Sequence, residues 1–266
     1  MKFFTWVYKL AKLYMPVFLS GAGTTMLLAI TGTIIGFVIG LLTGIIRTIP
    51  ITEKTGPGLK ALLKIVNGIL AVYIEIFRGT PMMVQAMVIF YGIAAVTGVA
   101  PNRMLAGIFI VSVNTGAYMS EIVRGGIISI DKGQFEAAHA VGMNHWQTMR
   151  FVVIPQVIRN ILPATGNEFV INIKDTSVLN VISVGELFYQ GRTAAGTYFR
   201  YFESFFIICV IYFVLTFSVT RVLRVIERKL DGGEVYSLNK KADPLTEGSG
   251  NPDAATVYKL KKRGDR

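Results

Sequence analysis

Apolar residues in this chain come in long uncharged runs separated by polar stretches, and run length sorts the elements. Val17 to Ile46 holds no charged residue. About 20 apolar residues cross a bilayer as a helix, so this run reads as span 1. The same pattern predicts span 2 at about Thr80 to Val99, span 3 at about Met104 to Val123 and span 4 at about Pro155 to Ile173. Tyr198, Phe199, Tyr201 and Phe202 read as an interfacial aromatic belt opening span 5, which ends near Val219. The expected fold class is an all-α integral membrane protein, a five-span helical bundle.

Local chemistry refines these elements. Gly32, Gly36, Gly40 and Gly44 recur every four residues, so they share one helix face that lets another backbone approach closely. Leu62 to Phe77 is apolar but carries Lys64, Asn67 and Glu75. It is either an amphipathic lead-in helix or the first part of span 2. Arg78-Gly79-Thr80-Pro81 follows. Gly79 suits a helix end, Thr80 an N-cap and Pro81 a first helical position, which predicts a break. Lys174 to Arg200 reads as an outer excursion, with a bend at Lys174-Asp175.

Arg124 to Arg150 is a long polar loop. Asp131 with Gln134 three residues on predicts a capped helix from about Lys132 carrying Phe135, Ala138 and Val141. Gly142 breaks or turns it. Asn144 with Gln147 predicts a second cap, opening a helix through Trp146, Met149 and Val153 toward Pro155. Ala137 and Ala138 keep the first helix slim enough for a partner's groove, and Glu136 and Arg150 are placed to lock such docking. An ordinary amphipathic loop has the same spacing.

Charge then sets sidedness. The chain has 266 residues, of which 52% are hydrophobic and 16% charged, and its formal net charge is +11. A soluble domain carries about a quarter charged residues. In a soluble protein such a charge would point to nucleic acid. Here it gathers in the flanks: Arg47, Lys54, Lys60 and Lys64 against Glu53, the 124–150 loop, and Arg221, Arg224, Arg228 and Lys229. Cytoplasmic segments explain this excess without nucleic acid. Five spans then put the N-terminus outside and the C-terminus in the cytoplasm, against the local pull of Lys2, Lys9 and Lys12. The first run is too long for a signal-peptide core and reads as a retained span. Residues 1–232 are expected to form the transmembrane domain, with a cytoplasmic loop at about 124–154. Residues 233–266 are expected to be a polar, disordered tail.

Site chemistry of the enzymatic kind is missing from the sequence. There is one cysteine, Cys209, within an apolar run, and the two histidines, His139 and His145, lack the Cys or acidic company of a metal site. No G-x4-G-K-[ST], no H-E-x-x-H and no nucleophile–base constellation is present. No internal repeat of the secondary-transporter kind and no filter-like motif stands out.

Several motifs in order resemble the permeases of ATP-binding-cassette importers, in the polar amino acid uptake family. They are Phe77-Arg78-Gly79-Thr80-Pro81-x3-Gln85, Ala117-Tyr118-x2-Glu121-x2-Arg124-Gly125 and Gly133-Gln134-x-Glu136-Ala137-Ala138 with Gly142-Met143. Next come Ile154-Pro155-Gln156, Ile161-Leu162-Pro163-x3-Asn167-Glu168-Phe169 and Lys174-Asp175-Thr176-Ser177. The resemblance covers about Phe18 to Gly232. It implies a type I importer permease in the bacterial plasma membrane whose 124–154 loop is the EAA coupling loop. The coupling residues would be Glu136, Ala137, Ala138, Gly142, Trp146 and Arg150. It further implies two ATP-binding-cassette ATPase subunits, a second permease (identical or paralogous) and an extracytoplasmic amino-acid-binding protein. No cofactor is expected in this chain, since ATP and Mg would sit on the ATPase subunits.

The substrate path is read from polar groups that are costly in lipid and so face the interior. Arg78, Thr80, Gln85, Asn114, Tyr118, Glu121, Glu168, Asn172, Lys174 and Asp175 qualify. Glu75–Arg78 and Glu121–Arg124, each three apart, are also spaced for intrahelical ion pairs, which the spacing favours over substrate contact.

Overall fold

The computed structural model describes residues 2–51 and 55–230. Glu53 and Lys54 of the first basic loop and the expected tail 233–266 lie outside the described residues. The chain divides into a compact unit, Met1–Glu227, which carries the helical bundle, and a second unit, Arg228–Arg266.

Every described element is helical. The helices are α1 (Lys2–Arg47), α2 (Pro57–Gly79), α3 (Met82–Thr97), α4 (Arg103–Ile128), α5 (Lys132–Ala140), α6 (His145–Thr148), α7 (Ile154–Asp175), α8 (Leu187–Tyr198) and α9 (Tyr201–Leu230). A π-helical segment, Met149–Val153, joins α6 to α7, and a 3-10 segment, Thr176–Ile182, follows α7.

The fold is organised by α1 against α4. A Cβ placed on Gly32, Gly36, Gly40 or Gly44 would strike Val111, Thr115, Met119 or Val123 respectively. Both series advance by four in the same direction, so the helices run parallel with their backbones in near contact. Close approach substitutes for the hydrophobic drive that lipid cannot supply between helices. The glycine face expected from the sequence is therefore a packing surface, and α4 is its partner.

Three apolar clusters fill the remaining space. Leu28, Phe90, Ile110 and Leu179 join α1, α3, α4 and the 3-10 segment. Leu10, Phe18, Leu187 and Ile208 join the first part of α1 to α8 and α9. Val123, Ile127, Met149, Val153 and Val157 join the end of α4 to the start of α7.

Several expectations change. α1 is helical from Lys2 and passes Pro16 without a break, so it is longer than a span beginning at Val17. Its neighbours supply the reason: Leu10 is buried, and Trp6 and Tyr14 pack against the Tyr198 ring, Tyr14 edge-on. Leu62 to Phe77 belongs to a separate amphipathic helix, α2, of 23 residues. The segment expected as an outer excursion is folded, with Leu179, Ile182, Leu187 and Ala194 buried in the 3-10 segment and α8. Of the aromatic belt, Tyr198 is packed, whereas Phe199, Tyr201 and Phe202 are exposed.

Among the described residues, three helices are long and apolar enough to cross a membrane: Phe3–Arg47, Arg103–Ile128 and Tyr201–Lys229. Met82–Thr97 is apolar but shorter. α7 has sufficient length but carries Arg159, Asn160, Asn167, Glu168, Asn172, Lys174 and Asp175, which lower its hydropathy. Those polar groups require protein or water around them rather than lipid.

Candidate functional site

The loop after α4 is two short helices joined at a glycine. Asp131 caps α5 by accepting the Gly133 N–H at 2.7 Å. The expected reciprocal partner, Gln134, instead accepts from Gln156 Nε2 at the base of α7. α5 ends in a Schellman closure. The Met143 N–H donates to Ala138 O and the Gly142 N–H to His139 O, each at 3.0 Å, with Gly142 at φ +84°. Asn144 and Gln147 then form a reciprocal capping box, each bond 2.9 Å, as the spacing predicts.

The chain runs on through Met149–Val153 into α7. Ile154 N–H reaches back five residues to Met149 O. This wider turn precedes Pro155, whose ring would collide with a carbonyl in a regular α-turn and which has no N–H to give.

Two faces result. Phe135 packs on the cluster that holds Met149 and Val153, and Ala138 is only 4% exposed. Ala138 is thus buried within this chain. Glu136, Ala137, Gly142, Val141, Trp146 and Arg150 are exposed, Val141 at 74% and Trp146 at 64%. Val141, expected within the first helix, is its C-cap. Neither Glu136 nor Arg150 has an ion pair among the described residues. The Arg150 guanidinium lies over the Phe151 ring at 5.6 Å. Burial, and then the neighbouring His139, hold His145 below the ordinary histidine value.

A second set of polar groups gathers at the break between α2 and α3. Thr80 and Pro81 are extended, and Pro81, not Thr80, is the N-cap of α3. The Thr80 hydroxyl instead donates to Ile76 O at 2.7 Å and accepts from Gln85 Nε2 at 2.9 Å. The two Gln85 Nε2 hydrogens are shared between that hydroxyl and the carbonyls Phe77 O and Thr80 O, each also at 2.9 Å. Asn114 Nδ2 of α4 donates to Gln85 Oε1 at 2.9 Å and to Phe77 O at 3.2 Å. Two amides therefore satisfy the carbonyls that the broken helix leaves open. Arg78 does not pair with Glu75; its guanidinium lies 5.5 Å from the Tyr118 ring. Arg78, Thr80 and Tyr118 are exposed beside the buried Gln85.

The other path candidates lie apart from this group. Glu121 is bound by Arg124 at 2.9 Å and by Arg47 from the end of α1, so it ties two helices together. Asn172 is buried; it donates to Thr33 Oγ1 at 2.8 Å and accepts from Thr115 Oγ1 at 3.1 Å. Both residues hold the bundle together rather than line an open surface. Glu168 is buried in α7 at 8% exposure. Lys174 and Asp175 are exposed at the end of α7, and Lys174 shares a cleft of ≈ 260 Å³ with Arg221 and Arg224 of α9.

One residue that polarity at span positions does not reveal is Glu186. It is fully buried before α8, where it accepts from the Phe188 N–H at 2.8 Å, the Tyr189 N–H at 2.6 Å and the Tyr212 hydroxyl at 3.0 Å. Burial pushes its carboxyl up to about 7, against the lowering effect of those three donors. Its sequence signal is weak, because glutamate is not a favoured N-cap.

Known proteins share this architecture. A family model described as binding-protein-dependent transport system inner membrane component matches residues 58–232. The glutamine transport system permease protein GlnP of Escherichia coli (strain K12) is 37% identical over 216 residues, 81% of this chain and 93% of that protein. The arginine transport system permease protein ArtQ of Bacillus subtilis (strain 168) is 30% identical over 219 residues, 82% and 94% of the two chains. The crystal structure of an amino acid ABC transporter with histidines superposes with a TM-score of 0.69 at 36% identity, covering 81% of this chain and 95% of that one.

Proposed function

The chain belongs to the family of binding-protein-dependent transport system inner membrane components, and on that premise we propose that it is the permease subunit of an ATP-driven uptake system for a polar amino acid. The similarity to glutamine and arginine permeases over nearly their whole length supports the amino acid. The chain is a membrane permease, and ATP is hydrolysed by a separate subunit.

The proposed assembly contains two ATP-binding-cassette ATPase subunits, a second permease (identical or paralogous) and an extracytoplasmic binding protein. ATP and Mg belong to the ATPase subunits, and this chain holds no cofactor. It sits in a bacterial plasma membrane as five spans, α1, α3, α4, α7 and α9, with the N-terminus outside and the C-terminus cytoplasmic. Residues 1–232 form the permease domain and 233–266 a cytoplasmic tail.

The observation that carries the coupling reading is the outer face of α5 and α6: Glu136, Ala137, Val141 and Trp146 stand exposed on two helices locked at Gly142. Docking of the ATPase there would transmit its closure through the Met149–Val153 cluster to α4 and α7. Of the path candidates, Arg78, Thr80 and Tyr118 at the α2–α3 break, with Lys174 and Asp175, keep exposed groups for a solute. Gln85, Asn114, Glu121 and Asn172 are engaged in holding helices.

The test is reconstitution of the complete transporter in liposomes, with ATPase activity followed across amino acids. Stimulation by one amino acid class, lost on altering residues 136–142, supports the reading. Uptake by this chain alone, indifferent to ATP, overturns it in favour of a secondary transporter.

A further inference from the structure

A cavity of ≈ 470 Å³ lies between the end of α1, the end of α4 and the inner side of the coupling loop. Its polar contributors are cationic or histidine, namely Arg47, Arg124, Lys132, His139 and His145 with Thr48, and no carboxylate among the described residues lines it. The nearby carboxylate of Glu121 is shared by Arg47 and Arg124, so two guanidinium groups have one counter-charge. Lys132 is exposed and has no ion pair among the described residues. The rest of the lining includes apolar Ile127, Phe135 and Met149.

We propose that this cavity binds the phosphate headgroup of an anionic phospholipid from the inner leaflet. The inference rests on the cytoplasmic placement of the coupling loop proposed above. A cavity lined by both cationic and apolar side chains, at the end of two apolar helices, suits an amphiphile that is anionic at one end. A free anion would gain nothing from Ile127, Phe135 and Met149. The headgroup would bridge α1 to α5 through Arg47 and Lys132, so the lipid would brace the segment that receives the ATPase.

The experiment uses the assembled transporter, equilibrated in vesicles of equimolar phosphatidylglycerol and phosphatidylcholine. Retained lipid is then counted by native mass spectrometry. Wild type is expected to retain phosphatidylglycerol selectively. Lys132→Gln should lower that occupancy about fivefold, the effect of one basic group near an anionic surface, and Lys132→Glu should lower it further. Arg224→Gln, which removes an exposed cation outside this cavity, should leave it unchanged. Equal retention of the two lipids, or indifference to both Lys132 substitutions, overturns the site. Displacement of the lipid by millimolar glycerol phosphate overturns the lipid source in favour of a soluble phosphate ester. Sidedness is read separately, by labelling Lys132→Cys in a Cys209→Ser background with an impermeant maleimide. Labelling from outside intact cells sinks the topology while leaving the lipid measurement interpretable.

Discussion

Gly40 of α1 and Met119 of α4 meet backbone to backbone: a Cβ on the glycine would lie 2.7 Å from the Met119 carbonyl carbon and 2.9 Å from the Ser120 nitrogen. Backbone atoms in the middle of a helix cannot turn aside as a flexible side chain can. Gly40→Ala is therefore expected to push α1 from α4 and to cost roughly 1–3 kcal/mol, as overpacking does. Gly23 on the same helix has nothing within 4 Å of its would-be Cβ. Gly23→Ala should be neutral or stabilising by up to about 1 kcal/mol. Thermal unfolding in detergent compares the two, and equal midpoints would refute the tight α1–α4 seam.

The face of that seam is legible in the sequence, but its partner is not. Spacing by four is local information, whereas Val111, Thr115, Met119 and Val123 are remote in the chain. The same division runs through the site. The Asn144–Gln147 box and the turn at Gly142 are readable because each is settled within a few residues. Thr80 does not take the N-cap its type favours; its hydroxyl instead bonds Ile76 O and Gln85, an alternative that propensity does not register. Polarity alone marks the path candidates. Polarity within a span serves equally to join helices, and Asn172 between Thr33 and Thr115 does that. Glu186 carries no such mark because its role depends on Tyr212 and on burial, neither of which is local.

Gln85 and Asn114 hold the α2–α3 break as a unit. Gln85→Leu removes the side-chain donor to Thr80 O and one of two to Phe77 O. Leaving such a group unsatisfied costs about 1–3 kcal/mol. Asn114→Ala should cost less in the Gln85→Leu background than in wild type, because their mutual bond is already lost. A double-mutant cycle should return a coupling of about 0.5–3 kcal/mol. A coupling of zero would separate the two amides into independent roles.

Glu186 gives the fold a pH dependence. It lies in the segment before α8, outside the apolar spans, and its carboxyl is raised from 4.5 to about 7. The native state then keeps a proton that the unfolded chain releases near 4.5. Stability contributed by the protonated form is complete below that value and is lost as pH rises through about 7. Glu186→Gln should flatten this slope between pH 4.5 and 7, because the amide is neutral throughout. Unfolding midpoints across that range test it. An unchanged slope in the variant would mean the proton is held elsewhere.

If the turn at Gly142 carries the proposed coupling, substitutions there should separate stability from coupling. Its φ of +84° is left-handed, and a Cβ there would meet nothing within 4 Å. The cost of substitution is thus conformational rather than steric, about 1–2 kcal/mol for a side chain forced into that region. Gly142→Val relieves the strain only by opening the Schellman closure, which changes the angle between α5 and α6. Asparagine visits the left-handed region more readily, so Gly142→Asn should keep the closure. In reconstituted transporter, Gly142→Val is expected to hydrolyse ATP with little uptake, while Gly142→Asn retains most of the amino acid moved per ATP. If Gly142→Val folds stably and transports normally, this turn does not carry the coupling.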